Sequence, residues 1–152
     1  MIQLRLILLV LLGCMSLVYG QDSAVPPELI KTFERYAKAW ENADWGRIFD
    51  LTAPALQKIM LNNSGSREAW IKHQGSDFKD RITSMERVQT YRMTDMLYTF
   101  AIVTKGKRPG GAPFGSPGFA SFEFIEGKWY LVEPVIPKTA QPSASGANPS
   151  MP

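Results

Sequence analysis

The chain has 152 residues, with 17 Lys and Arg against 14 Asp and Glu, one His and one Cys. That length suits one compact domain, and a near-balanced charge with no clustered basic stripe argues against a nucleic-acid partner. A lone cysteine excludes internal disulfides and Cys-rich metal sites, and a lone histidine leaves no ligand set for structural zinc. Neither a metal nor a cofactor is expected.

Residues 1–20 read as an export leader: Arg5, an apolar run from Leu6 to Leu12, then small and polar residues ending at Gly20. Even extended to Val18, the apolar stretch is shorter than the roughly 20 residues a bilayer span needs, so no transmembrane anchor is expected. Val18 and Gly20 suit signal peptidase. Leu11-Leu12-Gly13-Cys14 also resembles the lipobox of bacterial lipoproteins, so lipidation at Cys14 is an alternative fate. Both routes predict an exported chain, periplasmic or extracellular, and the second tethers it to a membrane. A short linker, 21–27, then leads to a domain over 28–134, and the Pro-, Ser- and Ala-rich composition of 135–152 predicts a disordered tail.

The domain opens with an amphipathic helix. Leu29, Ile30, Phe33, Tyr36, Ala37 and Trp40 recur at spacings of three and four, while Lys31, Glu34, Arg35, Lys38 and Glu41 take the other face. Pro26 and Pro27 sit where a first helical turn tolerates them. After a break at Asn42 and Ala43, Asp44 is placed to cap a second helix over 45–51. A third piece carries Leu56, Ile59 and Met60 and ends in Asn62-Asn63-Ser64-Gly65; Ser66 can cap a fourth, on which Trp70 and His73 share a face before Gly75. Asn62-Asn63-Ser64 fits a glycosylation acceptor, relevant only in a eukaryotic host.

From Arg81 β-branched and aromatic residues dominate, and strands are expected near 82–92, 97–105, 118–126 and 128–133. Met93-Thr94-Asp95 separates the first pair and Glu126-Gly127 joins the last. Between the middle strands, Gly106 to Pro117 is rich in Gly and Pro. It lacks the Gly-Lys-Ser/Thr ending of a phosphate loop and joins strand to strand, so it is read as a hairpin loop. Helices followed by an antiparallel sheet predict an α+β layer fold.

Two stretches carry a family resemblance. The run from Phe33 to Trp45, continuing to Phe49-Asp50-Leu51, resembles the opening helix pair of the nuclear transport factor two-like superfamily. The closing run from Phe122 through Gly127-Lys128-Trp129-Tyr130 to Val132 is similar to that family's last hairpin. The resemblance implies a curved sheet of about four strands wrapped around the long helix as a cone with a pocket in its mouth, often dimeric. On that footing Tyr36, Trp40, Trp70, His73, Phe122 and Phe124 are candidates for a ligand-binding wall, although aromatics at such spacings more often fill a core, and a histidine just before Gly75 more often stands partly exposed at a helix end. Family enzymes place acids with a His or Tyr partner inside the cone; here Glu123 and Glu133, with His73 or Tyr130, are the residues to inspect, and none matches a known catalytic motif.

Three functions fit these residues. The first is an exported, non-catalytic domain binding a hydrophobic small molecule or a protein partner in the cell envelope. The second is an isomerase, hydratase or cyclase acting on a hydrophobic substrate. A structural homodimerisation module is the third.

Overall fold

A computed structural model describes residues 25–137; the leader with Cys14 and the tail beyond Pro137 lie outside the described residues. Four helices precede four strands: α1 (Pro27–Glu41), α2 (Trp45–Leu51), α3 (Pro54–Ser64), α4 (Arg67–Asp77), β1 (Arg81–Arg92), β2 (Leu97–Lys107), β3 (Pro113–Ile125) and β4 (Lys128–Val132). The chain is α+β, with an open antiparallel sheet in the order β1-β2-β3-β4, as the order of sequence patterns predicts.

Helix α1 starts on two prolines. Pro27 gives up an N–H that no intrahelical acceptor would have met, and the Pro26 carbonyl accepts from Leu29 and Ile30 at 2.9 and 3.2 Å. Its buried stripe is Leu29, Thr32, Phe33, Tyr36, Ala37 and Ala39. The helix closes when Ala43 turns to φ 52°, a left-handed conformation, so that the Asp44 N–H reaches the Ala39 carbonyl at 2.8 Å. Asp44 then caps α2 through Arg47 N–H to Oδ1 at 2.9 Å, and Ser66 caps α4 by accepting from Ala69 N–H at 3.0 Å. The fourth helix runs through Gly75 to Asp77.

The sheet is longer than its composition predicts. Gly106 and Gly115 to Pro117, expected in a loop, are paired residues of β2 and β3. Only Arg108–Ala112 turns, closed by Arg108 N–H to the Ala112 carbonyl at 2.8 Å. Gly106 fits because it has no side chain: a Cβ there would lie 2.5 Å from the Arg81 carbonyl and 2.7 Å from the Phe114 ring, which covers the position instead. The last hairpin turns through Glu126 and Gly127 at φ 47° and 85°, the positive pair that matches strand twist in a two-residue loop. Edge strand β1 has register shifts at Ile82/Ser84 and Arg87/Gln89, which disrupt its free edge as a template for further pairing.

Alternation along β2 and β3 divides the faces. Phe100 and Phe122, both 0% exposed, meet α1, with Phe33 edge-on to each at 5.2 and 6.3 Å and Tyr36 at 5.8 Å from Phe122. A second aromatic group, Trp40, Trp45 and Phe78, joins α1 to α2 and to the segment entering β1, with centroids 5.2 to 5.4 Å apart. Each such ring contributes roughly 2–3 kcal/mol by burial.

On the opposite face Thr99 and Ser121 are also 0% exposed, because the chain after β4 folds back over them. Val135 N–H donates to Ser121 Oγ at 2.8 Å, and Thr99 Oγ1 donates to the Val135 carbonyl at 3.0 Å. The two hydroxyls lie 2.8 Å apart. Since the one hydroxyl proton of Thr99 goes to Val135, Ser121 is the donor between them, and the ring of three bonds is closed. Residues 135–137, whose composition predicts the start of a disordered tail, are therefore a strap. Pro134 and Pro137 restrict its backbone, and no free amide is lost at either.

Candidate functional site

The interior between helices and sheet is filled where the family pattern predicts a cone pocket. Phe122 packs against Tyr36 and against both rings of the Phe33–Phe100 pair. Burial pushes the Tyr36 phenol above its ordinary pKa of 10.0, offset in part by the adjacent Trp40 indole. The buried Trp40 Nε1 has no hydrogen-bond partner among the described residues, so the indole lies close to the phenol without hydrogen-bonding alignment. Trp70 is buried against Phe49 of α2 at 5.5 Å, not against the sheet.

The acid/base candidates do not converge. His73, expected to share a face with Trp70, has a side chain 62% exposed, its Nδ1 3.0 Å from Asp77 Oδ2 one turn on. Three positions turn a helix by about 300°, enough to place one residue inside and the other in water. Glu123 is exposed and paired in register with Tyr130, on the strap side of the sheet. Glu133 is exposed.

Surface grooves among the described residues include two of note. One, ≈ 670 Å³, runs along the solvent side of α1 to Arg47 and has only Ala39 as an apolar wall among Lys31, Glu34, Lys38 and other polar side chains. It has no aromatic wall, and its apolar surface beyond Ala39 belongs to the stems of charged side chains. The other, ≈ 570 Å³, lies between α1, the end of α2 and the closing hairpin. It is within the range of small-molecule sites.

This second groove has an apolar wall of Leu51, Phe124 and Trp129, with Tyr130 also lining it. Phe124 and Trp129 face each other across β3 and β4, rings 5.2 Å apart, and Trp129 is anchored behind by Tyr98 at 5.6 Å. Helix α1 supplies Glu28, Thr32 and Arg35, one face at spacings of four and three, while Asp50 and Lys128 come from α2 and the hairpin. The Thr32 hydroxyl donates to the Glu28 carbonyl at 2.8 Å. The bridge of Thr52 to Leu131, with Ala53 N–H donating to the Leu131 carbonyl at 2.8 Å, holds the end of α2 against β4.

Of the residues singled out by sequence, Phe124 and Tyr130 line this groove; Tyr36, Trp40, Trp70 and Phe122 are in the packed interior. Glu28, Arg35, Asp50, Lys128 and Trp129 had no motif to mark them as site residues. The signal that could have found Arg35 and Glu28 is their helical spacing with Thr32; Lys128 and Trp129 needed the hairpin's position beside α1.

A scan against protein-family models gives no match, and a search of curated proteins gives none. Among solved structures, a SEC-C motif containing protein from Psychrobacter arcticus is similar over 79% of this chain and 66% of its own, at 16% identity and a TM-score of 0.55. A SEC-C motif containing protein from Rhodopseudomonas palustris is similar over 63% of this chain and 68% of its own, at 14% identity and a TM-score of 0.49. A Δ5-3-ketosteroid isomerase from Mycobacterium sp. is similar over 68% of this chain and 89% of its own, at 11% identity and a TM-score of 0.47. The chain thus spans about two thirds of the length of the SEC-C structures. At 16% identity the likeness to the Psychrobacter arcticus protein is one of fold.

Proposed function

We propose that this chain is an exported, non-catalytic binding domain of the nuclear transport factor two-like type, and that its ligand is a small amphipathic molecule seated between α1 and the β3–β4 hairpin. The observation that carries the reading is the groove of ≈ 570 Å³, with Phe124 and Trp129 on one side and a row of polar side chains on the other. Apolar wall and polar rim are what an amphipathic molecule buries and orients against. Support also comes from the interior: its aromatic rings occupy one another, and His73, Glu123 and Glu133 stand in water away from it.

The test is native mass spectrometry of the chain purified from its own host, with Trp129→Ala alongside. A co-purified small molecule retained by the unaltered chain and lost from a folded Trp129→Ala variant is the expected result. Equal retention by both would overturn the groove assignment. The same spectrum reads the leader: a chain beginning at Gln21 reports signal-peptidase cleavage, and a modified Cys14 at the first position reports a tethered lipoprotein.

A protein partner is the second reading, favoured by α3, which buries none of its residues and exposes Ile59 at 53%. Ile59→Glu should then abolish complex formation in the native envelope without lowering stability.

A further inference from the structure

We infer that the ligand of this groove is an anion, specifically a carboxylate on an apolar body. The inference rests on the binding-groove reading above and adds the chemistry of the polar end.

The charges along the groove are not equivalent. Glu28 is engaged by Lys31, Nζ to Oε1 at 2.8 Å, and the Lys31 hydrogen bond holds its carboxyl below the usual carboxylate range, with Arg35 adding to the effect. Asp50 is held from outside by Arg67, whose Nε and Nη2 donate to its two oxygens at 3.1 and 2.9 Å. Both acids therefore already have a base. Arg35 and Lys128 have no carboxylate within ion-pair distance among the described residues. Arg35, which lines both grooves, donates through Nε to the Lys31 carbonyl at 3.3 Å, which ties down one edge of the guanidinium and leaves its Nη pair without a partner among the described residues.

Two cations that make no direct ion pair, beside an aromatic wall, favour an anionic head and an apolar tail. A carboxylate fits the Arg fork with two parallel bonds. A doubly charged phosphate fits less well, because the ion pairs that hold Glu28 and Asp50 are exposed to water and neutralise them only in part, so a second negative charge in the same groove is still repelled.

Decanoate, decanol, decyltrimethylammonium and decyl phosphate, equal in chain length, separate these terms when titrated by calorimetry into the full chain. Decanoate should bind on the order of tenfold tighter than decanol at low salt, which is about 1.4 kcal/mol, and the preference should shrink as ionic strength rises from about 0.01 to 0.15 M. The double variant Arg35→Gln, Lys128→Gln should bind decanoate and decanol alike, whereas Lys107→Gln, outside the groove, should keep the preference. Equal binding of decanol and decanoate, with both weakened by Trp129→Ala, would leave the groove standing and overturn the anion. Tighter binding of decyl phosphate than of decanoate would overturn the carboxylate. If no probe shows binding that depends on Trp129, the groove reading itself fails.

Discussion

Removing either hydroxyl beneath the strap should cost more than its size suggests. Ser121→Ala leaves the Val135 N–H without its acceptor and Thr99 Oγ1 without its donor; Thr99→Val leaves the Val135 carbonyl without its donor. All three groups belong to one closed ring whose two hydroxyls are 0% exposed. An orphaned buried polar group costs about 1–3 kcal/mol, so each single variant should lose about that much, a sizeable part of the roughly 5–15 kcal/mol a domain has in total. The double variant should lose less than the sum, with a coupling on the order of 1 kcal/mol, because the second substitution removes bonds the first has already broken. Urea unfolding of the four proteins gives the cycle, with unchanged slopes required for the comparison, and native-state hydrogen exchange at the Val135 amide reports the strap directly. Losses that add within about 0.3–0.5 kcal/mol, together with unchanged exchange at Val135, would refute the ring.

The remaining predictions concern the interior and the hairpin. Phe122→Ala removes a ring packed against Phe33, Tyr36 and Phe100 and should destabilise by about 3–5 kcal/mol in a denaturant titration. Gly106→Ala should cost about 1–3 kcal/mol through overpacking, because its Cβ would collide with the Arg81 carbonyl as well as the Phe114 ring; Phe114→Ala should relieve only the ring half of that clash. For Tyr36 the folded pKa is raised above 10.0, so the folded state holds a proton that the unfolded chain gives up. Stability should therefore fall as pH rises above about 10 towards the folded pKa, and Tyr36→Phe should flatten that alkaline limb in melts recorded against pH.

The element order and most helix boundaries were legible because each has a local cause. Asp44 and Ser66 cap where they stand, Ala43 closes α1, and Glu126-Gly127 makes the tight turn. Three features were not legible, and in each a tertiary neighbour overrode composition. Gly106 and Gly115–Pro117 read as loop until Phe114 and the Arg81 strand are placed beside them. Residues 135–137 read as tail until two hydroxyls 22 residues apart come together under Val135. Trp70 and His73 share a helical pattern, but only Trp70 has Phe49 to bury against.

The same reasoning explains why aromatic spacing marks packing more readily than it marks a binding wall. Tyr36 and Phe122 are aromatic because the layer between α1 and the sheet has to be filled, and a domain of this size gains much of its stability from such rings. With the interior filled, the binding function proposed above falls where two elements meet without interdigitating, at the junction of α1 with the closing hairpin. There the informative residues are Arg35 and Lys128, ordinary in sequence and set apart by lining the groove without the ion-pair partners that Glu28 and Asp50 have. A surface cation paired with an acid is part of the scaffold; one left beside a Trp and a Phe is available to a ligand, and charge reversal at Lys128 should therefore alter binding far more than stability.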